Sequence, residues 1–352
     1  MRAIMIDPDD RSLRWSEVPD PVPGPGEVVV RVRACGVNRG DLLQRRGLYP
    51  PPAGAPEWMG LEAAGNIESA GAPLARIGRA AATPAWHPGD PVCCLLSGGG
   101  YAEKVAVDAR HVLPIPAGLS IEEAAAIPEA FTTAFLNLVL EGRLARGETV
   151  VVHAGASGVG TAAIQIAKDR GARIVTTVGS EPKAERVRAL GADVVIDRHR
   201  EDVLERLRSL ARPPAEAAPP PAAPAAPPAP GIDVVLDCLG GEDLGGMLTL
   251  LNPGGRWIVV GLMRGGEARI DLRPLLSRRL RIIGSVLRSR PAGEKAAILE
   301  RMRRALWPRF EAGAIRPIVH AILPVERAEE AHAILQRNEN VGKVLLRIDA
   351  ER

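Results

Sequence analysis

The sequence predicts an α/β protein with two domains, a small antiparallel β-barrel and a doubly wound parallel sheet. Short apolar segments separated by Gly and Pro fill the first third of the chain, which is typical of a small barrel. From about Ser120 helical and strand patterns alternate, as they do in a parallel sheet with helices on both faces. We place the barrel domain in residues 1–122 and 288–352, and the parallel-sheet domain in residues 123–287.

Short strand patterns predict the first domain. Residues 27–33 have strand character and follow a turn-forming Pro-Gly-Pro-Gly sequence at residues 23–26. Residues 60–67 and 89–93 continue this pattern. Residues 342–348 form a closing strand that could return to the first domain.

Alternating patterns predict the second domain. Residues 121–140 are helical, and Pro128 is expected to kink or start a helix. The predicted strands that follow are 150–153, 173–178, 194–196, 233–237, 256–260 and 281–287. The predicted helices are 158–170 and 181–190, with later amphipathic helices at 294–309 and 328–337.

Residues 213–230 are a low-complexity insertion composed almost entirely of Pro and Ala. Such a segment can form no core, so we expect an extended, mobile surface insertion. A partner-binding role is the less favoured alternative, because no aromatic or charged anchor interrupts the tract.

A glycine-rich loop joins the strand at 150–153 to the following helix. The order strand, tight turn and helix places backbone N–H groups and a positive helix end where a phosphate can bind. The candidate phosphate-binding residues are Gly155, Ser157, Gly158, Val159 and Gly160. Ser157 stands at the second glycine of the dinucleotide-binding pattern, and serine is small enough to allow the pyrophosphate to approach. The alternative is an ordinary strand-to-helix turn.

The end of the second strand indicates which cofactor is bound. Proteins that prefer NAD usually carry an acid there, whereas this strand ends in Gly179 and Ser180. Ser180 and Lys183 offer a hydroxyl and a cation for a 2′-phosphate, and Arg198 could stack on the adenine or add charge. We therefore expect NADPH rather than NADH. The alternative is that Lys183 and Arg198 are solvated surface groups.

Composition excludes several other classes of protein. The chain has 352 residues and a net charge of +3. This charge is too small to suggest a nucleic-acid partner, and the Lys and Arg residues are dispersed along the chain. The four cysteines show neither a disulfide framework nor zinc-ligand spacing. The first residues do not resemble a signal peptide, and no apolar stretch approaches the roughly 20 residues that span a bilayer. We expect a soluble, cytoplasmic protein without membrane contacts.

Several motifs together carry a resemblance to a known family. They are Gly36-Val37-Asn38-Arg39-Gly40-Asp41, Gly60-Leu61-Glu62-Ala63-Ala64-Gly65, Ala125-Ala126-Ile127-Pro128-Glu129-Ala130, the glycine-rich loop at residues 153–160, Asp237-Cys238-Leu239-Gly240-Gly241 and Leu287-Arg288-Ser289-Arg290. The chain resembles the zinc-free quinone oxidoreductases of the medium-chain dehydrogenase/reductase superfamily, in particular the tumour-suppressor-inducible quinone oxidoreductases and their bacterial relatives. The resemblance implies a GroES-like barrel domain and a Rossmann domain.

The same resemblance argues against a metal. Zinc-dependent alcohol dehydrogenases of the superfamily carry Cys where this chain has Asn38, and His where it has Leu61. An amide and an alkyl group cannot replace a thiolate and an imidazole as zinc ligands. The four-Cys structural zinc lobe is also missing, so we expect no metal site.

The resemblance also implies the residues of the active site. Tyr49 would face the nicotinamide and the substrate, and Asn38 would fix their geometry; these are the predicted catalytic residues. The alternatives are a tyrosine packed in a loop and an asparagine that stabilises a turn. Asp41 is expected to buttress this segment. Further cofactor-binding residues are implied by the resemblance at Thr133, Gly261, Leu262, Met263, Leu287, Arg288 and Lys343, the last near the cofactor phosphate.

These expectations lead to a function with alternatives. The resemblance implies an NADPH:quinone oxidoreductase that acts on a quinone or another small electrophilic acceptor. An NADPH-dependent reductase of 2-alkenal or enone double bonds is an alternative, and so is a non-enzymatic NADPH-binding protein. The segment Arg281 to Leu287 resembles the edge strand that pairs two subunits in this superfamily, so we expect a homodimer.

Overall fold

The computed structural model describes residues 1–72, 85–211 and 231–348, and these residues form two units. One unit comprises Met1–Thr133 and Leu287–Arg352, and the other comprises Ala134–Val286. The predicted Pro/Ala-rich insertion at 213–230 lies outside the described residues.

The described residues form fifteen strands and ten α-helices. The strands are β1 (Arg2–Ile6), β2 (Leu13–Glu17), β3 (Glu27–Val37), β4 (Glu62–Ala70), β5 (Pro91–Leu95), β6 (Lys104–Asp108), β7 (Val112–Pro114), β8 (Thr149–Val152), β9 (Arg173–Val178), β10 (Val194–Asp197), β11 (Ile232–Asp237), β12 (Leu251–Val259), β13 (Arg281–Gly284), β14 (Val319–Pro324) and β15 (Lys343–Arg347). The helices are α1 (Arg39–Arg45), α2 (Ile121–Ala125), α3 (Pro128–Phe135), α4 (Gly158–Asp169), α5 (Glu181–Leu190), α6 (Val203–Ala211), α7 (Asp243–Leu248), α8 (Leu272–Ser277), α9 (Ala292–Glu311) and α10 (Ala328–Gln336).

The first unit is built on the long strand β3. Strands pair in the order β14-β15-β3-β4-β5-β7, and β6 also pairs with β3. In the middle of β3, Val30 and Val32 are buried, whereas the alternating residues Arg31 and Arg33 are exposed. The strand therefore turns one face to the core there. The closing strand β15 pairs antiparallel with β3, Val344 opposite Val37, which confirms the predicted return to the first domain. This unit is the GroES-like domain of the predicted fold class.

The second unit contains a six-stranded parallel sheet with strand order β10-β9-β8-β11-β12-β13. Val150, Val151 and Val152 of β8 are fully buried, as expected for a central strand covered on both faces. The order reverses at β8, and ligands of doubly wound sheets bind at the carboxyl ends of the strands beside such a point. The Rossmann fold is therefore confirmed, and its topology puts the glycine-rich loop at the expected binding edge.

The helical region before β8 is more segmented than the single predicted pattern. Pro128 is the first residue of α3, a position that suits proline because the N–H group it lacks has no acceptor there. The helix then continues as a π-helix over Leu136–Glu141. Of the two predicted effects of Pro128, the structure has the start of a helix.

Candidate functional site

The loop after β8 forms an anion-binding cradle in the second unit. The Ser157 hydroxyl caps α4 by accepting a hydrogen bond of 3.0 Å from the backbone N–H of Gly160. The next N–H groups, those of Gly158 and Val159, lie in the first turn and have no acceptor within the helix. With the positive end of the helix dipole, they favour a phosphate group.

Two glycines of this loop are required by close packing. A Cβ atom on Gly155 would lie 2.0 Å from Oγ1 of Thr176, and one on Gly160 would lie 2.4 Å from the carbonyl oxygen of Ala154. Ala154 itself has a φ of 52°, in the left-handed region. The predicted glycines thus allow the loop to lie directly against β9 and the start of α4.

The residues predicted for the adenosine end meet beyond β9. A Cβ atom on Gly179 would lie 2.8 Å from Nη2 of Arg198, so the exposed guanidinium covers this glycine. Ser180 is the N-cap of α5, and its side chain makes no capping hydrogen bond. Lys183 lies half-buried in the first turn of the same helix. The four residues therefore form a polar and cationic corner at the carboxyl edge of the sheet.

The acid nearest to this corner is already paired. The carboxylate of Glu181 forms ion pairs with Arg188, at 2.7 Å, and with Arg200, at 3.6 Å. Its charge is thereby largely balanced by neighbouring cations. The local charge of this corner is accordingly positive, which suits a phosphate better than a neutral ribose.

Three polar residues at this edge were not among the site residues predicted from the sequence. His153, Thr177 and Asp237 stand at the ends of β8, β9 and β11 and line a small cavity together with Arg198. The carboxylate of Asp237 accepts hydrogen bonds from the backbone N–H of Leu239, at 2.6 Å, and from the indole Nε1 of Trp257, at 3.1 Å. Their positions at the carboxyl ends of predicted strands could have indicated them as site residues, because ligands of such sheets bind there.

The segment after β12 supplies apolar surface at the same edge. Leu262 and Met263 are exposed, at 58% and 49%, and the N–H of Met263 donates to the carbonyl oxygen of Cys238. A Cβ atom on Gly261 would lie 3.0 Å from the same carbonyl oxygen. Together with the cradle and the cationic corner, these side chains fit an elongated ligand that has phosphates and a flat ring, such as a nicotinamide dinucleotide.

In the first unit, Arg288 holds Tyr49. The guanidinium carbon lies 4.8 Å from the centre of the Tyr49 ring, and Nη1 donates to the Tyr49 carbonyl oxygen at 3.0 Å. Further hydrogen bonds reach Ser97 O at 2.8 Å and Gln44 Oε1 at 2.7 Å, and Arg288 is only 4% exposed. Its charge is thereby engaged in fixing the tyrosine loop, and its role as a cofactor ligand stays a prediction.

Asn38 and Lys343 belong to a buried network around Glu62. The Lys343 ammonium lies 2.6 Å from Glu62 Oε1, and donates to Asn38 Oδ1 at 2.5 Å and to Val37 O at 2.9 Å. The Asn38 amide donates to Gly36 O and to Glu62 Oε1, each at 3.1 Å. Lys343 is 4% exposed and is the internal counter-ion of Glu62, and its role near a cofactor phosphate stays a prediction.

Asp41, in the first turn of α1, supports this network. Its carboxylate accepts hydrogen bonds from the backbone N–H groups of Asn38, at 2.7 Å, and Gly60, at 3.1 Å, and from the Tyr101 hydroxyl, at 3.1 Å. Burial raises the pKa of Asp41 to about 6. The side chain has the buttressing position that the sequence predicts.

Glu129 adds a third carboxyl group, which was not among the site residues predicted from the sequence. It lies half-buried in the first turn of α3, and its backbone N–H donates to Glu62 Oε2 at 2.8 Å. Burial, and then the charge of Glu62, raise the pKa of Glu129 to about 8. Two predicted cofactor-binding residues also belong to this unit. Thr133 follows Glu129 by one turn on the same side of α3 and is half-buried. Leu287 is buried.

The predicted residues therefore fall into two groups, one in each unit. Residues of the cradle, the cationic corner and the apolar segment meet at the sheet edge of the second unit. Tyr49, Asn38, Arg288 and Lys343 lie in the first unit together with Thr133 and Leu287. In residues 1–72, 85–211 and 231–348 there is no group of three or more His, Cys, Asp or Glu side chains that could hold a metal ion.

Comparisons with known proteins match both units. Residues 24–117 match the alcohol dehydrogenase GroES-like domain family, and residues 158–303 match the zinc-binding dehydrogenase family. The chain is 30% identical to the quinone oxidoreductase of Mus musculus, over 98% of this chain and 97% of the relative. Within the part of the chain that the structure describes, none of the helices is both long and apolar enough to span a membrane.

Solved structures give the same result. A quinone oxidoreductase from Thermus thermophilus, studied also in complex with NADPH, is 31% identical with a TM-score of 0.77, and the match covers 99% of this chain and all of the other. An NAD-dependent alcohol dehydrogenase is 30% identical with a TM-score of 0.79 and the same coverage. The CurK enoyl reductase is 25% identical with a TM-score of 0.77, over 99% of each chain.

Proposed function

Because this chain belongs to the medium-chain dehydrogenase/reductase superfamily, we propose that it reduces quinones with NADPH and without a metal ion. At the family level it is an oxidoreductase that uses a nicotinamide cofactor and a small-molecule substrate. One observation supports the proposal of metal-free chemistry most directly: at Asn38, where zinc-dependent members carry a cysteine ligand, the side chain binds the Lys343 ammonium, which is also paired with Glu62. Quinones need no Lewis acid, because they accept a hydride readily.

The proposed cofactor contacts follow from the second unit. The N–H groups of Gly158 and Val159 would hold the pyrophosphate, and Ser180, Lys183 and Arg198 would hold the 2′-phosphate. The apolar surface of Leu262 and Met263 would border the nicotinamide. The chemistry that the cofactor supplies when bound is hydride transfer to the acceptor.

The proposed substrate contact is Tyr49. Its ring is held by Arg288 at 4.8 Å, and its backbone carbonyl is held by the same guanidinium. A tyrosine fixed in this way can stack on a flat quinone and donate a hydrogen bond to its oxygen as charge develops there. Asn38 acts as a positioning residue, because its amide is engaged with Gly36, Glu62 and Lys343.

A steady-state assay tests this proposal. NADPH oxidation by the purified, chelator-treated protein is measured with a panel of quinones, with 2-alkenals, and with NADH in place of NADPH. We expect selective turnover of quinones with NADPH, and a reduction of about 10-fold or more in kcat/KM for Tyr49→Phe. Equal or better efficiency with NADH would contradict the cofactor proposal.

A reductase of enone or 2-alkenal double bonds is the second candidate, and the similarity to the CurK enoyl reductase favours it. Turnover of alkenals without turnover of quinones would support that candidate. A non-enzymatic NADPH-binding protein is the third, and turnover of any acceptor would exclude it.

We also propose that the protein is a cytoplasmic homodimer. All four cysteines are free thiols, which supports a reducing compartment. Strand β13 pairs with β12 on one side and forms the edge of the six-stranded sheet, where Ile282 is 38% exposed. An exposed apolar edge strand favours pairing with a second copy of the chain.

A further inference from the structure

We propose that Glu129 is a second proton donor of this site, whose carboxyl O–H binds the acceptor oxygen and protonates it during reduction. This inference rests on the proposed reductase function and deepens it. The hydride brings two electrons and the first hydrogen to the quinone, and the proton from Glu129 supplies the second hydrogen as one of the two O–H groups of the hydroquinone. The carboxylate that remains is reprotonated from water.

The position of Glu129 in α3 is unusual for an acid. Its neighbours Ile127 and Ala130 are 0% and 1% exposed, and the chain is anchored there by the hydrogen bond from Glu129 N–H to Glu62 Oε2. Glu129 itself is half-buried. Among the described residues, none forms a hydrogen bond or an ion pair with its carboxyl group. A polar group in such a place without a protein partner is suited to a ligand.

The surrounding charges keep the proton on this group. Glu62 and Asp41 oppose ionisation of Glu129, and burial is the largest cause of its raised pKa of about 8. The cations that could offset this are committed elsewhere: Lys343 to Glu62, and Arg288 to carbonyl and amide oxygens. The titratable and charged groups that face this acid are Asp41, Tyr49, Glu62, Arg288, Lys295 and Lys343.

Tyr49 and Glu129 flank the same short segment of chain. A Cβ atom on Gly40 would lie 3.1 Å from Leu61 Cδ1 and 3.3 Å from Tyr49 Cε1, so both side chains border this glycine. The next residue, Glu62, accepts the N–H of Glu129. Burial, and then the charge of Glu129, raise the pKa of Tyr49, so both groups hold their protons at neutral pH. Two neighbouring O–H donors match an acceptor that gains electron density on its oxygens.

The test compares Glu129→Gln with Glu326→Gln, which removes an exposed carboxylate from the same unit. We expect Glu129→Gln to lower kcat for quinones about 100-fold with little change in KM, and to abolish the loss of activity near pH 8. Glu129→Asp, which retains an acid, should recover part of the rate. The control should behave like the wild type.

A readout without cofactor or substrate accompanies these assays. Infrared spectra at neutral pH should show a protonated carboxyl band in the wild type that is missing in Glu129→Gln. The folded state retains this proton between pH 4.5 and 8 while the unfolded state has lost it, so the contribution of Glu129 to stability falls as the pH rises through this range. Glu129→Gln should therefore gain stability relative to the wild type at pH 8.

The outcomes separate the two proposals. A wild type that reduces neither quinones nor alkenals overturns the proposed function and the donor role together. An active wild type with an unchanged rate and pH profile in Glu129→Gln overturns the donor role alone. An infrared band that persists in Glu129→Gln also overturns the assignment of the proton to this residue.

Discussion

The hydroxyl group of Tyr101 connects two buried titratable side chains. It donates to Asp41 Oδ2 at 3.1 Å and lies 3.3 Å from His332 Nε2. Burial lowers the pKa of His332 to about 4 and raises that of Asp41 to about 6, so at neutral pH the histidine is uncharged and the aspartate is ionised. The neutral imidazole therefore donates to the phenol oxygen, and the phenol donates to the carboxylate.

Tyr101→Phe should lower the free energy of unfolding by about 1–3 kcal/mol, because it removes one of the three hydrogen bonds to the buried Asp41 carboxylate and leaves Nε2 of the buried His332 without this partner. Urea denaturation at pH 7 measures this change. The chain has only two tyrosines, so Tyr49→Phe is a matched control. Equal midpoints for the wild type and Tyr101→Phe would show that this hydrogen-bond chain does not stabilise the fold.

The partners of long cationic side chains could not be predicted from the sequence. The sequence could indicate that Asn38 and Leu61 cannot bind zinc, since this depends on side-chain chemistry alone. It could not indicate that Lys343 pairs with Glu62, or that Arg288 reaches Gln44, because these partners are distant in sequence and meet only in the fold. Glu129 was missed for the same reason: its function depends on the burial and charges around it.

The glycine-rich loop shows how one element depends on its neighbour. The N–H of Gly155 donates to Thr177 O at 2.9 Å, and the Gly155 α-carbon faces Oγ1 of Thr176. Thr176 Oγ1 in turn donates to Val152 O at 2.7 Å, so it is fixed in place. Strand β8, the loop and β9 are thus packed without space for an additional methyl group.

Gly155→Ala should destabilise the second unit by about 1–3 kcal/mol and weaken cofactor binding, because its Cβ atom would lie 2.0 Å from Thr176 Oγ1 and the loop must shift. Thermal unfolding and a titration with NADPH measure the two effects. Gly293→Ala is the control, since a Cβ atom at this helical glycine would have no neighbour within 4 Å. It should be neutral or slightly stabilising. A tolerated Gly155→Ala would contradict the close-packing argument.

Elements with a local signal were predicted well, and those without one were not. The helix predicted at 158–170 is α4, Gly158–Asp169, because a glycine loop and a serine cap define its start. Strand β14 was missed because only one of its six residues is buried, and because its parallel partner, β15, follows only after an intervening helix. The π-helical segment Leu136–Glu141 was also missed, since π-helical geometry has no clear sequence pattern.

The two larger sheets of the described residues each have an edge strand that is open on one side. In the first unit β14 is an edge strand, and in the second β13 is one. Both carry an exposed isoleucine, Ile322 at 44% and Ile282 at 38%. The segments that flank β13 in sequence carry further exposed apolar side chains: Leu272, Leu276 and Val286. The apolar surface is therefore larger at the edge of the second sheet, which favours association there.

Ile282→Asp should therefore convert a dimer into monomers. An aspartate on β13 places a charge in the apolar centre of the proposed interface, and we expect the dimer Kd to rise about 30-fold or more. Light scattering across a dilution series measures this change, with twice the chain mass of 37.3 kDa expected for the wild type. Ile322→Asp makes the same substitution on the edge of the other sheet and should leave the dimer intact. A wild type that scatters as a monomer would refute the proposed association, and dissociation caused only by Ile322→Asp would move the interface to the first unit.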